Sequence, residues 1–172
     1  MLNVLVIGFV WPEPKSSAAG TRMMQLIDAF QSENYTITFA SACAKTDNAF
    51  DLSSIEVNTT EIELNNSSFD DYIKQLEPDI VVFDRFMTEE QFGWRVVEHC
   101  PNALRLLDTE DLHSLRKGRY NALNDNEPFN DSYLYNDYAK REIASIYRCD
   151  LSLIISEFEM ELLVEKFNVS TT

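Results

Sequence analysis

The chain has 172 residues, 45% of them hydrophobic and 25% charged, which is the make-up of one soluble globular domain with a proper core and leaves two full domains cramped. Twenty-nine acidic against fourteen basic side chains give a net charge of −15, a balance that repels nucleic-acid phosphates and anionic lipid head groups and so excludes both as general partners. Three widely spaced cysteines, Cys43, Cys100 and Cys149, form no CxxC or Cys/His spacing. They read as reduced thiols of a cytoplasmic protein without a metal site.

The chain opens on a buried strand over residues 2–8, too short to span a bilayer and ended by Pro12. An irregular loop over residues 9–19 leads to a helix starting at Gly20. That helix places Met23, Leu26, Ile27 and Phe30 at i, i+3, i+4 and i+7, which makes one face core. A second strand covers residues 35–40, a polar stretch residues 43–54, and a weak third strand residues 57–64. The next helix begins at Ser68, whose hydroxyl can cap it, and ends near Leu76 before Pro78. The fourth strand, residues 79–83, is unbroken apolar sequence and therefore central. Thr88-Glu89-Glu90-Gln91 is a capping box for a helix packing through Phe92 and Val96, and a fifth strand covers residues 103–107.

Residues 113–136, rich in Asn, Asp and Tyr, read as a less regular section. A helix over residues 133–147 buries Ala139, Ile143, Ile146 and Tyr147, and a sixth strand covers residues 151–155. Ser156-Glu157-Phe158-Glu159 is a second capping box, opening a last helix that packs through Phe158, Leu162, Leu163 and Phe167. Short apolar runs alternating with helical periods imply α/β architecture: a doubly wound, mostly parallel, Rossmann-like sheet of about six strands with helices on both faces. The expected strand order is 3-2-1-4-5-6.

In such a sheet the loops beyond the carboxyl ends of the strands share one rim, where ligands are held. After the first strand come Ser16, Ser17 and Gly20, with Arg22 in the first helical turn. The hydroxyls and open backbone N–H groups suit an anion or a sugar; alternatively, Gly20 only permits close strand–helix packing. Asp84 and Asp108 end two central strands. Each can orient a hydroxyl nucleophile or act as a base, or can instead cap the next helix or pair with Arg85 or Arg22. His113 is placed on the rim as a proton acceptor or hydroxyl-binding group, or as a surface helix residue. Arg116, Lys117 and Arg119 concentrate positive charge in an acidic chain, either against an anionic part of a ligand or as a solvated helix end. Trp11, Phe86 and Trp94 can stack on sugars or simply pack.

Several chemistries are absent from the sequence. It has no GxGxxG after the first strand, no GxxxxGK[ST], no GxSxG elbow, and no acidic pair after Gly8 for a phospho-receiver. The residues do resemble one family. Ser16-Ser17-Ala18-Ala19-Gly20 followed by Arg22 is similar to the N-terminal domain of GT-B glycosyltransferases of the family 4 (group 1) type. So are Asp79-Ile80-Val81-Val82-Phe83-Asp84, Leu106 to His113, and Leu153-Ile154-Ile155-Ser156-Glu157. Where that family carries His-Asp after the fifth strand, this chain has Asp108 with His113 five residues on.

The resemblance implies a single domain over residues 1–172, the acceptor-binding half of an enzyme that moves a sugar from a nucleotide-sugar to a hydroxyl acceptor. A glycan or lipid-linked molecule would be the acceptor, and a missing C-terminal domain would bind the donor. It also implies no cofactor and no metal, no nucleic-acid partner and no transmembrane segment, and a cytoplasmic location, peripheral to the inner face of the membrane when full length. Asp108 and His113 would be catalytic. Ser16, Ser17, Gly20, Arg22, Asp84, Arg85 and Arg116 would bind substrate. The alternative is a non-catalytic Rossmann-like module binding a small anionic ligand or a partner domain.

Overall fold

The computed structural model describes residues 2–171. Six strands, β1 (Asn3–Gly8), β2 (Thr36–Ser41), β3 (Asn58–Glu61), β4 (Ile80–Asp84), β5 (Leu104–Asp108) and β6 (Leu151–Leu153), form one sheet. Their order is β3-β2-β1-β4-β5-β6 and every pairing is parallel, as the alternating sequence pattern requires. The order reverses between β1 and β4, whose registers place Ile7 opposite Phe83. The crevice at their carboxyl ends is the switch point of the sheet.

Among the described residues, six α-helices lie between the strands, α1 (Ala18–Ser32), α2 (Ser68–Leu76), α3 (Phe86–His99), α4 (His113–Asn124), α5 (Asp131–Leu134) and α6 (Asp137–Arg148), and a seventh, α7 (Glu157–Phe167), follows β6. Because strand side chains alternate, β1 and β4 feed two separate cores. Val4, Val6 and Val82 pack with Met23 and Ile27 of α1 on one face. Leu5, Ile7, Val81 and Phe83 pack on the other with Phe69 of α2, Phe92 of α3, Leu115 of α4 and Ile146 of α6. Among the described residues, no helix is long and apolar enough to cross a membrane.

The largest departure from the sequence reading lies in residues 113–136, where α4 runs for twelve residues. Its polar composition conceals a buried stripe, Leu115, Gly118 and Ala122, at i, i+3 and i+7. At Gly118 a β-carbon would lie 2.6 Å from the Tyr133 carbonyl oxygen, so glycine is what lets α4 and the α5 segment touch. The helix expected over residues 133–147 is divided into α5 and α6. Tyr147 is exposed on α6, where Glu142 and Ser145 take buried positions; Phe158 is exposed on α7, where Glu159 and Leu163 are buried.

The caps differ in detail. Helix α3 starts two residues before Thr88, and the Thr88 hydroxyl donates to the Asp84 carbonyl at 2.9 Å. Glu89, inside that pattern, is buried and holds Arg148 of α6 as an ion pair. Helix α2 does begin at Ser68, but the Asn66 side chain accepts the Ser68 N–H at 2.9 Å. Ser156 caps α7 through Glu159 N–H as expected, at 3.2 Å.

Candidate functional site

The rim is built where the switch point opens. Asp84, the last residue of β4, is buried, and one carboxylate oxygen accepts the Phe9 N–H at 2.9 Å, tying the ends of β4 and β1 together. Burial pushes its carboxyl up to about 6; the Arg85 charge and the Phe9 N–H oppose the rise, and Asp108 and Glu110 add to it.

Arg85 follows with φ 73° and ψ 157°, a region that side-chain-bearing residues rarely occupy. The residue is held there from several sides. Its N–H donates to the Asp108 carbonyl at 2.8 Å, and its guanidinium lies 5.1 Å from the centre of the Phe9 ring. The guanidinium also stands 3.7 Å from Asp84 and 4.0 Å from Glu110. Strain of this kind, over-determined by its surroundings, is characteristic of ligand-facing positions.

Asp108 ends β5 and is sealed beneath Arg22. The guanidinium grips the carboxylate with Nε 3.0 Å and Nη2 2.8 Å from Oδ1. Of the roles open to Asp108 in sequence, pairing with Arg22 is the one whose partner this geometry shows, and it ties the N-terminal part of α1 to the end of β5.

The loop before α1 is engaged with itself. The Ser17 hydroxyl caps α1 by accepting the Gly20 N–H at 3.0 Å, and the Ser16 hydroxyl donates to the Glu13 carboxylate at 2.7 Å. A β-carbon on Gly20 would lie 2.5 Å from the Glu13 backbone, so glycine here serves close packing of the helix start against its own loop. Ser17, Gly20, Asp84 and Arg85 nevertheless line one cavity of about 260 Å³, floored by Trp11. Trp11 is buried against Phe39 and donates its Nε1–H to the Cys43 carbonyl, whereas Trp94 is exposed on α3, away from this cavity.

His113 opens α4 and is only 8% exposed. Its ring meets the edge of Phe86 at 5.4 Å and stands 6.4 Å from Tyr138. Burial holds its basicity down to about 4, with Arg116 and Arg85 acting in the same direction and Asp111 against it. Nε2 lies 3.5 Å from Asp111 Oδ1, and neither atom has a hydrogen-bond partner among the described residues. Arg116 Nη1 lies 3.2 Å from the same Asp111 oxygen without hydrogen-bond geometry. His113, Arg116 and Tyr138 line a second cavity of about 220 Å³ with Lys117 and Tyr120.

The support beneath His113 is invisible to a local reading of the sequence. The Glu142 carboxylate of α6 accepts the N–H groups of His113 and Ser114 at 2.5 and 2.9 Å, and Glu159 of α7 accepts the Leu112 N–H at 3.3 Å. Burial raises both carboxyls above their ordinary range. The available signal was a glutamate on the buried stripe of α6 that carries Ala139, Ser145 and Ile146. Tyr138, one turn earlier, comes to the site by the same helix.

No protein-family model matches this sequence, and no curated protein matches it. Solved structures share its fold. Sucrose-phosphate synthase from Thermosynechococcus elongatus superposes with a TM-score of 0.61 at 12% identity, over 95% of this chain and 44% of that one. The apo form of the lipopolysaccharide outer core galactosyltransferase WaaB gives 0.60 at 12% identity, over 98% and 43%. An alpha-glucosyltransferase in complex with UDP and a 13-mer DNA containing a HMU base gives 0.50 at 12% identity, over 89% and 37%. The chain therefore has the fold of one part of a GT-B glycosyltransferase, and spans under half the length of each of these structures.

Proposed function

We propose that the chain is the acceptor-side half of a glycosyltransferase that moves a sugar from a nucleotide-sugar to a hydroxyl acceptor. The observation that carries this reading is the rim at the β1/β4 switch point. There the strained Arg85 and the buried Asp84 line an open crevice, with Arg85 bonded to the backbone of the Arg22-paired Asp108, in a fold shared with one part of larger sugar transferases. A second domain would bind the donor across that crevice, and catalysis would rest on positioning and on stabilising developing charge. In this scheme His113, neutral at pH 7, accepts a hydrogen bond from an acceptor hydroxyl, and Asp108 acts through Arg22. A glycan or a lipid-linked molecule would serve as acceptor, at the cytoplasmic face of a membrane in the second case.

On its own the chain binds acceptor weakly and transfers nothing. Titration with simple sugars is expected to shift the amide NMR signals of Phe9, Arg85, Glu110 and His113, while incubation with UDP-glucose releases no UDP. Turnover by the 172 residues alone, or shifts at these amides from the nucleotide-sugar and none from any sugar, overturns the proposal.

A further inference from the structure

On the α3 side of the sheet, the carboxyl ends of β1 and β2 border a further cavity of about 310 Å³. Phe9 and Leu64 stand at it with 43% and 53% of their surface exposed, and Met87, Phe92, Ala42 and Cys43 complete the apolar wall. The wall is drawn from four segments: the loops after β1, β2 and β3, and the first two turns of α3. Cys43 also lines the crevice of Ser17 and Asp84, so the two spaces adjoin at this residue.

Most of the polar groups at this cavity are already engaged. The Arg141 guanidinium is bonded to Glu90, with Nε 2.9 Å from Oε1 and Nη2 2.6 Å from Oε2. The Thr88 hydroxyl donates to the Asp84 carbonyl. Among the described residues nothing engages the Gln91 carboxamide, which can both donate and accept. An ionic group entering here would lose its water and find no free counter-charge. The lining also selects among neutral groups: two phenyl rings and the sulfur atoms of Met87 and Cys43 favour an aromatic ring over an aliphatic one. An apolar cavity of about 150 Å³ already holds benzene, so the space suffices for a substituted ring.

We infer that this cavity binds a neutral aromatic ring carrying one hydroxyl, with the ring among Phe9, Met87 and Leu64 and the hydroxyl bonded to Gln91. Such binding is independent of the acceptor-side reading. It does touch the rim, because Phe9 belongs to both places: its N–H donates to Asp84, and its ring lies 5.1 Å from the Arg85 guanidinium. A ring packed on Phe9 steadies the residue against which Arg85 lies.

The test is an NMR and thiol-protection titration of the 172-residue protein with para-cresol, methylcyclohexanol and glucose. The cresol is expected to shift the methyl signals of Met87 and Leu64 and the Phe9 amide, and to bind about tenfold tighter than methylcyclohexanol. It is also expected to slow alkylation of Cys43 by iodoacetamide and to leave Cys100 and Cys149, which do not line the cavity, unaffected; peptide mass mapping separates the three thiols. Leu64→Ser and Gln91→Ala, both at exposed positions, are each expected to weaken cresol binding about threefold or more.

Equal affinity for the cresol and methylcyclohexanol overturns the inference, and so does the absence of shifts at Met87 and Leu64 up to saturation. Protection of Cys43 that both variants leave intact overturns it as well, since the ring then sits in the crevice of Ser17 and not beside α3. Shifts at Leu64 and Met87 that grow with protein concentration alone do the same, because a second copy then covers the cavity. If glucose shifts Arg85 and His113 in any of these cases, the acceptor-side reading stands; UDP release by the chain alone removes that reading and leaves cresol binding untouched.

Discussion

Arg22 and Asp108, 86 positions apart in the chain, meet as a two-pronged ion pair at 2.8 and 3.0 Å, with Asp108 almost wholly withdrawn from water. Removing one partner leaves a buried charge without compensation. Arg22→Ala is expected to destabilise the protein by about 3–5 kcal/mol, whereas replacing both residues by well-packed apolar ones costs far less. Urea unfolding of the two singles and the double checks this; additive losses would count against the pair as the source of the effect.

Asp84 predicts a pH dependence of definite sign. Its folded value, about 6, lies above the unfolded value of 3.8, so the folded state holds the proton more tightly. The favourable contribution is complete below the unfolded value and is lost as pH rises through about 6. Asp84→Asn removes that loss, and its stability relative to the parent is expected to improve between pH 4 and pH 7 by on the order of 2–3 kcal/mol. Denaturation series at both pH values measure the gap.

His113 runs the other way. Its folded value of about 4 lies below the usual 6.5, so its contribution is present above 6.5 and is lost as pH falls toward 4. Arg116→Gln is expected to move the titration of the His113 ring up and Asp111→Asn to move it down, because the first removes a like charge and the second an attractive one. Ring-proton NMR reads both shifts; a ring that titrates alike in all three proteins would show that neither charge reaches it.

At Arg85 the backbone itself is the prediction. With φ 73° and ψ 157°, glycine suits the position better than any residue with a β-carbon. Arg85→Gly is expected to exceed Arg85→Ala in stability by about 1–3 kcal/mol, while both lose the same guanidinium contacts. Equal thermal stability of the two variants would place the backbone elsewhere than observed.

The sheet was legible because its determinants are local and repeated. Unbroken runs such as Val4 to Ile7 and Val81 to Phe83 announce buried parallel strands, and the intervening helical periods fix the crossovers, which leaves the observed order as the natural one. Rim membership followed from strand ends alone: Asp84, Arg85, Asp108 and His113 stand where the rule for open sheets places them. What each does there depends on partners far away in the chain. Nothing beside Asp108 in sequence names Arg22, and nothing beside Ser17 says that its hydroxyl is taken by Gly20.

Helix α4 escaped for a related reason. Of its five buried residues only Leu115, Gly118 and Ala122 are non-polar, one of them glycine, and the N–H groups at its start are bonded by carboxylates of other helices. A window confined to residues 113–124 sees His, Ser, Arg, Lys and Asn and finds little periodic signal. The same non-local bonds hid the destination of Glu159, whose sequence position suggested a reciprocal cap with Ser156 and whose carboxylate instead accepts from Leu112.

Those bonds set the order in which the rim can be completed. Glu142 lies 29 positions after His113, and Glu159 lies 47 positions after Leu112. A nascent chain that has emerged only as far as α4 holds every cation of the basic cavity but has nothing to fasten the helix that displays them. The cavity is thus a report on whether α6 and α7 have docked. By linkage, whatever fills it also slows the opening of these two helices, and amide hydrogen exchange in α7 will register a ligand that α7 never touches.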